Sequence, residues 1–150
     1  MQKITTFLMF DYRAHEAMKF YTSVFKNSRI VSTMGPEGNV MGGTFEIDGQ
    51  QFFTYNGGPH FSFTEGISLY VDAPTQDEID YYWNKLSDGG EKSMCGWVKD
   101  KFGVWWQIVP PILGELLSDK DPARAQRAVQ AMLQMKKLDI QALKDAADGK

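Results

Sequence analysis

One thiol, two imidazoles and a handful of carboxylates are the side chains of this 150-residue sequence with the chemistry to make or break covalent bonds. Cys95 is the single cysteine. A thiol becomes a nucleophile only when a neighbouring cation lowers its pKa. No histidine or lysine adjoins Cys95, so activation would need Lys92 or Lys99 to fold back; the plainer reading is a small, half-buried strand residue. His15 falls near the start of a helix, where a solvated imidazole is the common case. His60 lies in the linker Gly57-Gly58-Pro59-His60-Phe61, and a turn role there competes with a place at the edge of a cleft. Two histidines cannot form a histidine triad around a metal within one chain, and one cysteine cannot form an internal disulfide. Glu37, Glu46 and Asp48 are candidate general bases, although turn and edge positions explain them equally well.

Composition narrows the classes of function. Sixteen basic against nineteen acidic residues give a net charge of -3, which offers no general attraction to a phosphate backbone, so no nucleic-acid partner is expected. The longest apolar stretch, Phe7-Leu8-Met9-Phe10, is far short of the ~20 residues that span a bilayer. No charged start precedes a signal-type apolar core, and the expectation is a soluble, cytoplasmic protein without a membrane partner.

The sequence repeats itself. Phe7-Leu8-Met9-Phe10-Asp11 aligns with Ser68-Leu69-Tyr70-Val71-Asp72, and the same offset carries Glu16 to Asp77, Met18 to Ile79, Phe20-Tyr21 to Tyr81-Tyr82 and Phe25 to Leu86. Each copy begins as a short apolar strand, an acidic stop and an amphipathic helix. In the first helix Ala14, Ala17, Met18, Tyr21 and Phe25 recur every three or four residues and share a face, with Asp11 ahead of them as a cap. In the second, Ile79, Tyr82, Trp83 and Leu86 form the same stripe, Thr75-Gln76-Asp77-Glu78 matches a capping box, and Gly89-Gly90 ends the helix. Strands are predicted at about 28–34, 39–47 and 50–56, then at about 91–94, 96–100 and 104–109. Residues 1–150 are expected to form one domain, with modules at about 1–58 and 65–110 that are each too small for a robust core alone.

Beyond Pro110-Pro111 the character turns helical, giving a tail over about 111–147. Asp121-Pro122 is a strong helix start, Ala125, Val129, Met132 and Met135 or Lys136 trace its inner face, and Lys136-Lys137 suits the negative end of its dipole. Asp139 can cap a last short helix carrying Ile140 and Leu143. The apolar face of this tail could pack on its own body or across to a second copy.

A duplicated strand, helix and three-strand module resembles the vicinal oxygen chelate superfamily of glyoxalase I, fosfomycin-resistance proteins, bleomycin-binding proteins and extradiol dioxygenases. The segments Ala17-Met18-Lys19-Phe20-Tyr21, Asn56-Gly57-Gly58-Pro59-His60-Phe61, Cys95-Gly96-Trp97 through Gln107-Ile108-Val109-Pro110, and Ala131-Met132-Leu133-Gln134-Met135-Lys136-Lys137 are similar to its PhnB-like branch, labelled 3-demethylubiquinone-9 3-methyltransferase. The resemblance implies an α+β fold, two βαβββ modules forming a curved mixed sheet around a cleft with a C-terminal helical extension, and it implies a homodimer.

The resemblance also makes the cleft testable by position. With Ile67, Leu69 and Val71 facing the helix, Gly66, Ser68 and Tyr70 face the cleft, as do Thr5, Phe7 and Met9 in the first copy. Where metal-dependent relatives place histidine, this chain offers Thr5 and Gly66, or Thr6 and Ser68 if the register slips by one. The family's metal-binding glutamate corresponds to Gln107, and its counterpart in the first module falls near Phe53. Such a set lacks imidazole, thiolate and carboxylate, so neither a metal nor another cofactor is expected. The substrate-binding residues expected are Phe7, Met9, Phe53, Tyr55, Tyr70, Trp97 and Trp105, with Ser68, Gln107 and Cys95 as polar points. Trp105 and Trp106 must point to opposite faces, one packed and one at the cleft. Methyl transfer from S-adenosylmethionine would call for a glycine-rich turn between a parallel strand and a helix, which neither Gly42-Gly43 nor Gly57-Gly58 provides. The expected function is binding of a small molecule; the alternative is an enzyme acting on a small organic substrate through Gln107, Ser68, Tyr70 or Cys95.

Overall fold

The computed structural model describes residues 2–150. The chain divides into two compact units, one ending at Ser62 and one running from Phe63 to the C-terminus. In the first unit the order is β1 (Thr6–Phe10), α1 (Ala14–Val24), β2 (Ser28–Met34), β3 (Gly42–Ile47) and β4 (Gln50–Asn56). Its sheet runs β1-β4-β3-β2, with β1 parallel to β4 and the other pairs antiparallel. The second unit repeats this with β5 (Leu69–Asp72), α2 (Gln76–Ser87), β6 (Glu91–Lys92), β7 (Trp97–Lys99) and β8 (Trp105–Val109). Its sheet runs β5-β8-β7-β6, again with the first pair parallel. The fold is therefore α+β with a duplicated βαβββ plan.

Alternation along each strand decides what is core. In β1, Leu8 and Phe10 are buried while Phe7 is exposed, and on α1, which packs on β2, β3 and β4, the buried side chains are Ala14, Ala17, Met18, Tyr21 and Val24. Tyr21 packs against Phe45, whose ring stacks on Phe52 at 4.9 Å. Each such side chain withdrawn from water stabilises the fold by roughly 1.5–3 kcal/mol before ordering costs. Gly42 permits the tight β3–β4 approach, since a Cβ there would sit 2.2 Å from the Thr54 carbonyl oxygen.

The cap expected of Asp11 is absent. Arg13 occupies the N-cap position with its side chain bonded to Glu16 and not to the helix amides, and the amide of Ala14 donates to Asn56 Oδ1 at the end of β4, 2.8 Å away. The sheet therefore caps the helix, which no local pattern announces. Thr75 and Glu78 do form the reciprocal capping box at the start of α2.

The tail comprises α3 (Pro111–Leu117), α4 (Pro122–Leu133) and α5 (Ile140–Ala147). It packs within its own chain: Leu113, Leu116, Ala128, Leu138, Leu143 and Ala147 form one cluster with Val109 of β8. Asp121 and Asp139 cap α4 and α5, each accepting a backbone N–H. The inner face of α4 is broader than the expected one: Met132, and Met135 beyond the helix end, pack on the cluster as expected, and fully buried Ala128 and the adjoining Ala131 join them, because the helix lies against α3 and α5 together. α4 stops at Leu133, so Lys136-Lys137 lies beyond its last turn and does not serve its dipole; Lys137 instead reaches Asp80 at 2.9 Å. That contact and a hydrogen bond from Gln76 hold the Asp80 carboxyl below its usual value.

Candidate functional site

Each unit leaves one sheet face uncovered by its helix. In the first, the register pairs Phe7 with Phe53 and Met9 with Tyr55 across β1 and β4, so all four side chains project to the same side. The Phe7 and Phe53 rings meet edge to face at 6.2 Å, and both remain exposed. In the second, Tyr70 pairs with Gln107 across β5 and β8, and Trp97 pairs with Gln107 across β7 and β8. Trp105, two residues before Gln107, shares that face, and its ring meets Trp97 at 6.3 Å and 65°. Expected site residues thus gather in two groups, Phe7, Met9, Phe53 and Tyr55 in one unit, Ser68, Tyr70, Trp97, Trp105 and Gln107 in the other.

The tryptophan ambiguity resolves on chemistry. Trp106 is buried and its indole N–H donates to Asp100 Oδ2 at 2.8 Å, which leaves Trp105 on the open face. Asp100 is itself 2% exposed, and its other oxygen accepts the amides of Phe102 and Val104 at 2.9 and 3.0 Å. One carboxylate thereby closes the turn from β7 to β8 and pins the register that places Trp105 outward.

Polar orientation on this face comes from Gln107, whose Nε2 donates to Ser68 Oγ at 2.9 Å. Tyr70 is 60% exposed; partial desolvation and the Asp72 carboxylate push its phenol above the usual value, so at neutral pH it is a hydrogen-bond donor and not a base. The strand expected to begin at Ile67 begins at Leu69, and Ile67 is 79% exposed, outside the sheet and away from α2.

Cys95 is not a strand residue. It sits in the turn between β6 and β7 with φ of 59°, a left-handed conformation rare for a side chain other than glycine. The tail holds it there: its N–H donates to the Met135 carbonyl, that of Gly96 to the Lys136 carbonyl, both at 2.8 Å, and Sγ lies 3.5 Å from the Met132 carbonyl oxygen. Gly96, with φ of 84°, is required, because a Cβ would meet the Ile108 carbonyl oxygen at 2.7 Å. Beside this turn, Glu65, Ser93, Met94, Cys95, Trp97 and Trp105 line a cavity of about 390 Å³. Glu65, Ser93 and Met94 were not expected in a site: Glu65 lies in an irregular segment, and the strand expected over about 91–94 ends at Lys92, which leaves Ser93 and Met94 in the turn. Their one signal was position: they flank β5 and the turn into β7. His60 is exposed in the first unit, and His15 lines a separate polar hollow there with Tyr12, Lys19 and Glu37.

A transition metal does not fit the positions that the superfamily uses. The resemblance assigns them to Thr5, or Thr6 one register away, and near Phe53 in the first unit, and to Gly66, or Ser68, and Gln107 in the second, where the Gln107 amide is engaged with the Ser68 hydroxyl. Hydroxyl, phenyl, hydrogen and carboxamide are not the donors such ions select. Among the described residues no three His, Cys, Asp or Glu side chains converge.

Comparison with known proteins bears on family and fold. The profile described as 3-demethylubiquinone-9 3-methyltransferase matches residues 2–109. Among solved structures, a PhnB protein from Bacillus cereus, described provisionally as a 3-demethylubiquinone-9 3-methyltransferase, is 41% identical with a TM-score of 0.67 over 73% of this chain and 99% of that one. A protein of Pseudomonas aeruginosa shares the fold at 18% identity, with a TM-score of 0.58 over 73% and 98% of the two chains. The fosfomycin resistance protein FosX of Listeria monocytogenes, solved with Mn(II) and sulfate, shares it at 14% identity and a TM-score of 0.52, over 72% and 91%. No curated protein sequence matches. No helix among the described residues is long and apolar enough to cross a membrane. From the profile match across both copies of the repeat, and from 41% identity to the Bacillus cereus PhnB protein, the chain belongs to the PhnB-like family described as 3-demethylubiquinone-9 3-methyltransferase, and it shares its fold with FosX.

Proposed function

We propose that this chain is a small-molecule-binding protein that works without a bound metal. The observation that carries the reading is the open face of the second sheet, where Trp97 and Trp105 stand edge to face beside the Gln107–Ser68 hydrogen bond. Aromatic faces contribute area and stacking to a flat or partly apolar ligand, and a few fixed dipoles orient it. Phe7, Met9, Phe53 and Tyr55 offer an equivalent aromatic face on the first unit. The positions that the family resemblance assigns to metal ligands offer no imidazole, thiolate or carboxylate, which supports a site that works without a metal. Methyl transfer is not part of the reading: Gly42 lies within β3 and Gly57-Gly58 leads into no helix, so neither forms a phosphate-cradling turn.

The protein acts, on this reading, as a homodimer in the cytoplasm, where the Cys95 thiol stays reduced. It is tested by metal analysis of protein purified without chelator or affinity tag, together with native mass spectrometry of the intact assembly. A dimer free of stoichiometric transition metal, with or without a retained organic molecule, is the expected result. One transition metal per chain overturns the reading and favours an enzyme acting on a small organic substrate.

A further inference from the structure

The cavity beside the Cys95 turn has a composition more specific than an aromatic face requires. Two of its walls are the Trp97 and Trp105 rings, which touch edge to face at 65° with centroids 6.3 Å apart, so that a group in the cavity rests on the exposed indole surface of the pair and not between the rings. A third contributor is the carboxylate of Glu65, which has no ion-pair partner among the described residues. No basic side chain lines the space, and Lys99, on the same face as Trp105, is directed to Glu91 at 4.0 Å. Met94 and Cys95 complete it with sulfur and methylene surface.

Indole faces carry negative electrostatic potential and attract cations more strongly than phenyl or phenol rings do. A lone carboxylate beside them adds attraction of the same sign. An anion would meet repulsion from both, and a neutral ligand would gain nothing from the solvated carboxylate. The volume of about 390 Å³ suits a compact organic group and not a bare metal ion.

We propose that this cavity binds an organic cation of the alkylammonium class, with the cationic head against the exposed indole surface of the Trp97–Trp105 pair and its charge opposed by Glu65. The inference rests on the reading of the second sheet's open face as a binding surface and names the ligand class that it takes. An open indole face supplies the cation–π contact, Glu65 supplies charge selection, and the turn through Cys95, held by the tail carbonyls, keeps the tryptophan at the start of β7 in position.

The test uses the full-length protein and two probes of equal shape, choline and the neutral alcohol in which its nitrogen is replaced by carbon. The tryptophan indole N–H resonances are followed by NMR during titration, with that of Trp106, bonded to Asp100, as the internal check of folding. Choline is expected to shift the Trp97 and Trp105 signals and to bind about tenfold more tightly than its carbon isostere, and Glu65→Gln is expected to remove most of that difference. Glu65 is exposed, so this substitution leaves the core intact. Equal binding of the two probes overturns the cation assignment while leaving the aromatic binding face standing. A choline preference that survives Glu65→Gln overturns the role of this carboxylate. Silence of both indoles with both probes overturns the cation inference alone, since the binding face is tested separately by metal analysis and native mass spectrometry.

Discussion

The strands of the first unit run five, seven, six and seven residues, whereas those of the second run four, two, three and five. Both copies follow one plan, yet the first closes its core with sheet and helix alone, through Phe10, Met18, Tyr21, Phe45 and Phe52. The second has too little ladder for that. It makes up the difference with a buried carboxylate at Asp100 and with backbone carbonyls lent by the tail to Cys95 and Gly96. A repeat can thus lose much of its sheet if other groups satisfy the amides that the missing strands would have paired.

Removing residues 111–150 should break this comparison most sharply. The leucines 113, 116, 138 and 143 alone represent roughly 6–12 kcal/mol of burial, comparable with the whole stability of a domain. Hydrogen exchange of the truncated chain should show amides of β5 to β8 exchanging freely while those of β3 and β4 stay protected. Equal protection in both sheets would mean that the second does not depend on the tail.

Asp100→Ala gives a smaller effect on the same side. It strips acceptors from two amides and the Trp106 indole, and should cost about 3 kcal/mol, read as a lower urea midpoint with altered Trp106 emission. Protection in the first sheet should not change at low denaturant.

The smallest effect is that of acid on the tail. The Asp121 amide and Arg124 hold the Asp119 carboxyl below its usual value, and Arg124 does the same for Asp148. Because both folded-state values are depressed, their contribution is complete above the ordinary aspartate value and is lost as pH falls through the folded ones. These groups are exposed and salt screens them, so the expected signature is local: faster exchange at the end of α5 on acidification, absent in Arg124→Gln.

Periodicity and capping chemistry made both helices, the duplication and the tail legible. α1 and α2 carry unbroken apolar stripes, and Thr75, Asp121 and Asp139 act within three residues of themselves. What escaped depends on distant chain. Asn56 caps a helix 42 residues earlier, and Cys95 takes its turn conformation from carbonyls about 40 residues later. The open-face residues follow from strand alternation once the register is right, which is why Tyr70, Trp97 and Gln107 fall together. Alternation could not choose between Trp105 and Trp106, since either face accepts an indole; Asp100, buried six residues away, makes the choice.

The grip of the tail on the Cys95–Gly96 turn bears on how such chains should be cut and compared. The family profile matches residues 2–109, but the hydrogen bonds that shape the Cys-Gly-Trp segment come from residues 135 and 136. The matched segment and the folding unit are therefore different lengths of this chain. Grafting the second module onto a relative, or trimming it to the matched length, would carry the motif without the partner that gives it its shape.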